Sequence, residues 1–183
     1  MPTEDTERAD IIADLAVARA NLIKTTDGLT DEQAATRPTV SALCLGGLIK
    51  HVAAGEENWL RFIVEGPSAL SFELPEGVSW AEIMAGTARE YPQWMIDHQN
   101  QFTMAPGETL AELVTHYEQV AAHTEEVIAA LPDLSERREM PSAPWDDQPR
   151  SVQSVRRILT HVIVETAQHT GHAEIIRETL DNQ

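Results

Sequence analysis

Apolar residues recur every three to four positions over four long stretches of the chain, the period of amphipathic helices. In the first stretch, residues 6–26, Ile11, Ile12, Leu15, Ala18, Leu22 and Ile23 fall on one side, and Asp27-Gly28 ends the run. Leu29-Thr30-Asp31-Glu32-Gln33 then predicts a short capped turn of helix, stopped by Pro38. The second long helix is expected from Ser41, as cap, to about Glu65. Its inner side is Leu45, Leu48, Ile49, Val52, Ala53, Trp59, Leu60 and Ile63. Gly46 and Gly47 either weaken its first turns or let another backbone come close. Gly66-Pro67 ends it.

Residues 66–107 break the pattern, with Pro67, Pro75, Pro92 and Pro106 interrupting them. Ser79-Trp80-Ala81-Glu82 has the form of a capping box and predicts a helix to about Tyr91, which Pro92 kinks or ends. This stretch reads as an excursion between two main helices. Thr109-Leu110-Ala111-Glu112 is a second capping box. It opens the third long helix, with Leu110, Leu113, Val114, Tyr117, Val120, Ala121, Val127, Ile128 and Leu131 inward, and Pro132 closes it. A loop carrying Pro141, Pro144, Trp145 and Pro149 leads to Ser151, where the last helix is expected to begin and run to Leu180. No segment reads as a strand. One all-α domain spanning 1–183, a four-helix bundle with an irregular excursion between its second and third helices, is the architecture these patterns predict.

Charge narrows the partners. Thirty acidic against 13 basic residues give a net charge of −17, which repels phosphate backbones and anionic membranes. Nucleic acid and membrane are therefore not expected as partners. Nor does any stretch approach the ~20 apolar residues of a membrane span. Cys44 is the single cysteine, so no internal disulfide can form. The N-terminus is acidic and lacks an apolar run, and a cytoplasmic location is expected.

The chemistry concentrates in the last helix. His161, Glu165, His169 and His172 lie within roughly 80° of one another at helical spacing, forming one polar stripe. Such a stripe is costly to aim at a bundle core unless something binds it. Glu165 and His169 stand one turn apart, the spacing at which two side chains can meet at one metal ion. His161 and His169 are about 12 Å apart along the axis, a poor spacing for sharing one. A further ligand must come from elsewhere, and His51 is the best candidate.

Other residues carry plainer readings. His161 is placed to orient Glu165 or line the pocket, and His172 to sit at its rim or behind a ligand. Trp145 either walls the pocket or plugs the core. Arg156, Arg157 and Arg177 flank the stripe. They would either pair with surface acids or hold an anionic group of a substrate or thiol, and Arg157 is counted with the pocket. His98, His116 and His123 lack a matched partner and are expected to face solvent. Glu57 and Trp59 are assigned to surface and packing, and Cys44 to the core as a small apolar residue.

Two segments resemble a known family. Leu48-Ile-Lys-His51-Val-Ala-Ala-Gly-Glu-Glu57-Asn-Trp59 is similar to the second helix of the DinB/YfiT-like bundles, and Val155 to Glu178 to their fourth. The actinobacterial branch known as DUF664 is the nearer likeness, and it extends to Gly28-Leu-Thr-Asp-Glu-Gln33. The resemblance implies up-down-down-up topology and a homodimer. It also implies a divalent metal held by one residue of helix two and two of helix four, positions that fall on His51, Glu165 and His169. Glu165 departs from the family's common all-histidine set and resembles instead the mycothiol-dependent maleylpyruvate isomerases.

Three nitrogen and oxygen ligands suit zinc, or nickel, better than manganese or iron. A three-ligand site with an open position can acidify a thiol, which then attacks an electrophile. The expected function is thus a metal-dependent thiol S-transferase using a low-molecular-weight, mycothiol-like thiol as co-substrate. The alternatives are a metal-dependent hydrolase, with water in the open position, or a non-catalytic bundle that binds a metal or small molecule.

Overall fold

The computed structural model describes residues 4–70, 72–140 and 151–182. Four long helices dominate: α1 (Glu4–Lys24), α3 (Leu45–Glu65), α6 (Leu110–Ala130) and α7 (Val155–Asp181). Shorter ones lie between them: α2 (Asp31–Ala35), α4 (Trp80–Ala85) and α5 (Gln93–Asn100), with a single 3₁₀ turn at Pro67–Ala69. The fold is an all-α bundle of the expected class.

Contacts at the helix ends give the topology. Arg156 at the start of α7 pairs with Glu7 at the start of α1. Arg177, near the end of α7, donates to the carbonyls of Thr25 and Asp27 just past the end of α1. Those two helices therefore run parallel. Lys50 near the start of α3 meets Glu108 just before α6 at 2.6 Å, so α3 and α6 are also parallel. Arg8 in the first turns of α1 reaches the Leu131 carbonyl beyond the end of α6 at 2.7 Å, which makes the two pairs antiparallel. The order is up-down-down-up. It explains the excursion: α3 and α6 are each 21 residues, about 31 Å long, so a chain joining them in parallel must travel back along the bundle. Residues 66–109 make that return, and α4 and α5 are carried on it.

The inner faces are those the periodicity predicts. Leu15, Leu22, Leu48, Ile49, Ile63, Tyr117, Ile128, Ile158 and Leu159 are almost wholly buried. Each such side chain contributes about 1.5–3 kcal/mol. They form two apolar clusters, one around Leu48, Tyr117 and Ile176, the other around Phe62, Ile63 and Ile158. Two opposite charges lie in the interior as well. Arg19 of α1 and Glu56 of α3 are 4% and 2% exposed and form a bidentate ion pair, with Thr124 of α6 donating to the same carboxylate.

Several boundaries differ from expectation for local reasons. Cys44, not Ser41, caps α3: its sulfur accepts from the Gly47 amide. Helix α4 stops at Ala85 because Gly86 adopts the left-handed conformation, φ 68°, that terminates helices. A second helix, α5, follows Pro92 where none was expected. Two short strands also form, β1 (Arg137–Glu139) and β2 (Val152–Ser154), paired antiparallel with Arg138 opposite Gln153. Because β2 uses residues 152–154, α7 begins at Val155 and is capped by Ser154 rather than Ser151. No helix among the described residues is long and apolar enough to cross a membrane.

The glycine pair at the start of α3 serves close approach. A Cβ on Gly47 would lie 2.1 Å from the carbonyl oxygen of Phe102, on the stretch joining α5 to α6. Gly47→Ala is therefore expected to destabilise the protein by about 1–3 kcal/mol despite alanine's better helix propensity. A thermal melt with an unchanged or raised midpoint would contradict the contact.

Candidate functional site

His51 sits on α3 at the edge of its apolar stripe, half-buried, facing α7 across the bundle. Its ring stacks on Phe102, with centroids 4.2 Å apart, and meets His98 and His169 edge-on at 5.5 and 4.9 Å. Nδ1 lies 3.2 Å from the amide oxygen of Gln101. An amide oxygen only accepts, so Nδ1 carries the proton and Nε2 keeps its lone pair. The excursion thus fixes the tautomer of a residue on α3.

On α7 the helical period stacks His161, Glu165 and His169 on one side. The Glu165 carboxylate stands between the two imidazoles, 3.9 Å from His161 Nε2 and 3.8 Å from His169 Nε2. His172 approaches from behind, its Nδ1 3.4 Å from His169 Nδ1. That contact leaves His169 Nε2 as the nitrogen turned toward Glu165. His51, His161, Glu165 and His169 all line one cavity of about 310 Å³ between α3 and α7. Glu56 contributes to its floor and Trp59 to its wall, the indole lying edge-on to His161 at 5.0 Å.

Both central imidazoles are held neutral. Burial lowers the pKa of His51 to about 4; the Gln101 hydrogen bond acts against this, and repulsion from His169 and His98 adds to it. His169 is also lowered, mainly by burial and then by His172, with Glu165 opposing. At neutral pH the site therefore offers nitrogen lone pairs and not imidazolium charge.

The donor set fits a divalent ion in kind. Two atoms bound to one zinc at about 2.0–2.2 Å lie within ~4.3 Å of each other. The 3.8 Å between Glu165 Oε2 and His169 Nε2 falls inside that limit. As placed, no three His, Cys, Asp or Glu side chains among the described residues are close enough together to enclose an ion.

Other sequence candidates scatter. His161 lines the cavity, whereas His172 lies behind His169 and outside the lining. Arg157 is exposed and does not line the cavity, so it is not brought to the pocket. Arg156 and Arg177 are engaged with Glu7 and Asp181. Trp145 lies outside the described residues. His116 and His123 are exposed as expected. His98, expected to face solvent, is exposed but lines the cavity beside His51. Cys44 is 1% exposed and absent from the lining.

Sequence reasoning missed Gln101 and Glu56. Gln101 lies just past a helix that was not foreseen. Glu56 had a signal: it continues the stripe of Val52, Ala53 and Leu60, as Arg19 continues that of Leu15 and Leu22.

Comparison with known proteins gives fold and family. A conserved protein of Enterococcus faecalis superposes with a TM-score of 0.62 at 15% identity, covering 94% of this chain and 96% of that one. An uncharacterised protein of Clostridium difficile 630 gives 0.55 at 13% identity, covering 96% and 94%. These likenesses are of fold alone. No curated protein matches. The sequence profile of the mycothiol-S-transferases matches residues 10–182, nearly the whole chain and including every residue of the cavity. The chain belongs to the mycothiol-S-transferase family, within the DinB/YfiT-like bundles.

Proposed function

We propose that the cavity between α3 and α7 is the active site of a metal-dependent S-transferase joining mycothiol, or a thiol like it, to a small electrophile. The observation that carries the reading is the Glu165 carboxylate set beside His169 Nε2 and across from His51, both imidazoles neutral. His51, Glu165 and His169 would hold the ion, and their nitrogen and oxygen donors suit zinc or nickel. A divalent ion held there would lower the pKa of a thiol, and so would supply a nucleophile at neutral pH.

The chain's own residues do the rest. Gln101 and His172 hold the two imidazoles through Nδ1, so both rings keep their orientation. The Arg19–Glu56 pair fixes the floor and neutralises the buried carboxylate, which leaves Glu165 as the carboxylate available to the site. Trp59 narrows the wall. His161 Nε2, beside Glu165, is placed to take the proton that the thiol gives up. The sulfur forms a bond to an electrophilic carbon, the displaced group leaves with the bonding pair, and the proton passes through His161 to solvent.

Metal-loaded protein incubated with an electrophile and mycothiol, glutathione or no thiol tests this. Conjugate identified by mass spectrometry is expected with mycothiol and not without thiol. Equal conversion of the electrophile with no thiol present would make the site hydrolytic and refute the transferase reading.

A further inference from the structure

A second cavity adjoins the first. It measures about 520 Å³ and lies between α3 and the excursion. Asn58, Leu70, His98 and Gln101 line both cavities, so the two are neighbours at the side of the pocket where His51 stands. Its walls differ sharply from those of the first. Trp94 meets Phe72 edge-on at 5.4 Å and tilts toward Trp80 at 6.2 Å, and all three rings face the cleft together with Met84 and Met95. The Trp94 indole N–H is spent on the Glu73 carbonyl at 3.2 Å, which leaves its ring as apolar wall. Met84 is 73% exposed, a large apolar side chain held in water at the cleft's edge.

Charge is excluded. On a chain of net charge −17, no Asp or Glu among the described residues lines this cleft. Its one cation, Arg61, bonds the Asn58 side chain and the Ala69 carbonyl at 3.2 and 3.0 Å. A cationic ligand would find no counter-ion here. Polar side chains enter the lining only at Asn58, Arg61, His98, Gln99 and Gln101, and against the aromatic rings and thioethers of the rest the polar groups of a soluble thiol carrier would go unmet. A flat apolar body, by contrast, gains stacking on the tryptophans and sulfur–aromatic contact from the methionines.

We propose that this cleft is the acceptor subsite, taking the neutral aromatic body of the electrophile while its reactive carbon projects past Gln101 into the cavity of Glu165 and His169. The proposal rests on the transferase reading for the identity of its occupant. The excursion, needed only to bring the chain back along the bundle, thereby selects the second substrate.

N-phenyl-1-naphthylamine, a neutral fluorescent arene, probes the cleft without chemistry. Full-length protein is expected to bind it saturably at one site. Met84→Glu should weaken binding at least about tenfold, the scale at which an apolar pocket discriminates. Val64→Glu, at an exposed apolar residue of α3 outside the cleft, should leave it unchanged. With a fixed thiol, Met84→Glu should also cut kcat/KM about tenfold more for 1-chloro-2,4-dinitrobenzene than for iodoacetamide, mostly through KM. Absence of saturable binding, equal binding by the two variants, or equal loss for both electrophiles would overturn the subsite. Failure of wild type to conjugate any electrophile would instead fell the transferase reading, and the probe titration alone would then decide the cleft.

Discussion

His169→Ala should strip the protein of its metal and reduce thiol conjugation by about 100-fold or more. Loss of a residue that merely orients a ligand costs ~10–100-fold in such sites, and a ligand should cost more. His169 presents Nε2 beside Glu165 and opposite the His51 ring, and no other imidazole among the described residues occupies that position. Glu165→Ala should behave alike. His123→Ala is the matched control, because His123 is exposed on α6 and outside the cavity. Metal per chain by elemental analysis checks this, with about one ion expected in wild type and in His123→Ala. Similar melting of all the variants without metal would separate loss of the site from loss of the fold. Equal metal content in His169→Ala and His123→Ala would remove His169 from the site.

Glu56→Leu should produce the largest loss of stability of any single change near the pocket, about 3–5 kcal/mol. The substitution leaves the Arg19 guanidinium 4% exposed, with the half-exposed Glu125 at 3.3 Å as its one carboxylate partner among the described residues. Removing both charges should be far less costly, since a buried pair stabilises little beyond an apolar pair of the same shape. Arg19→Met with Glu56→Leu is therefore expected to recover most of the stability lost by Glu56→Leu alone. The pair should nonetheless matter to the site, because Glu56 forms its floor. Urea unfolding of the two single variants and the double variant closes the cycle. A double variant as unstable as the sum of the singles would show that the two charges do not act as a unit.

The bundle was legible because its long helices bury what their period says they bury. Leu15, Leu48, Ile63 and Tyr117 need no partner's identity to be assigned inward. The stripe on α7 was legible for the same reason: three histidines and a glutamate recur on one side of the helix at helical spacing. His51 came from its motif. What local pattern does not encode stayed hidden. Helix α5 is short and follows a proline, and its effect lies in two residues, His98 and Gln101, brought to His51 by a return path of the chain. The β1–β2 pair involves three residues on each side and no alternation long enough to read. Glu56 was passed over for its neighbour Glu57, although its place on the apolar stripe marked it as buried.

Metal dependence of thiol transfer is the centre of this account, and removal of the ion tests it most directly. Conjugate formation from mycothiol and an electrophile should be measured in protein as loaded, after chelation and dialysis, and after zinc is restored. The rate is expected to fall to the uncatalysed background on stripping and to return with about one zinc per chain. A stripped protein that keeps the full rate would contradict the assignment of His51, Glu165 and His169 as a catalytic metal site.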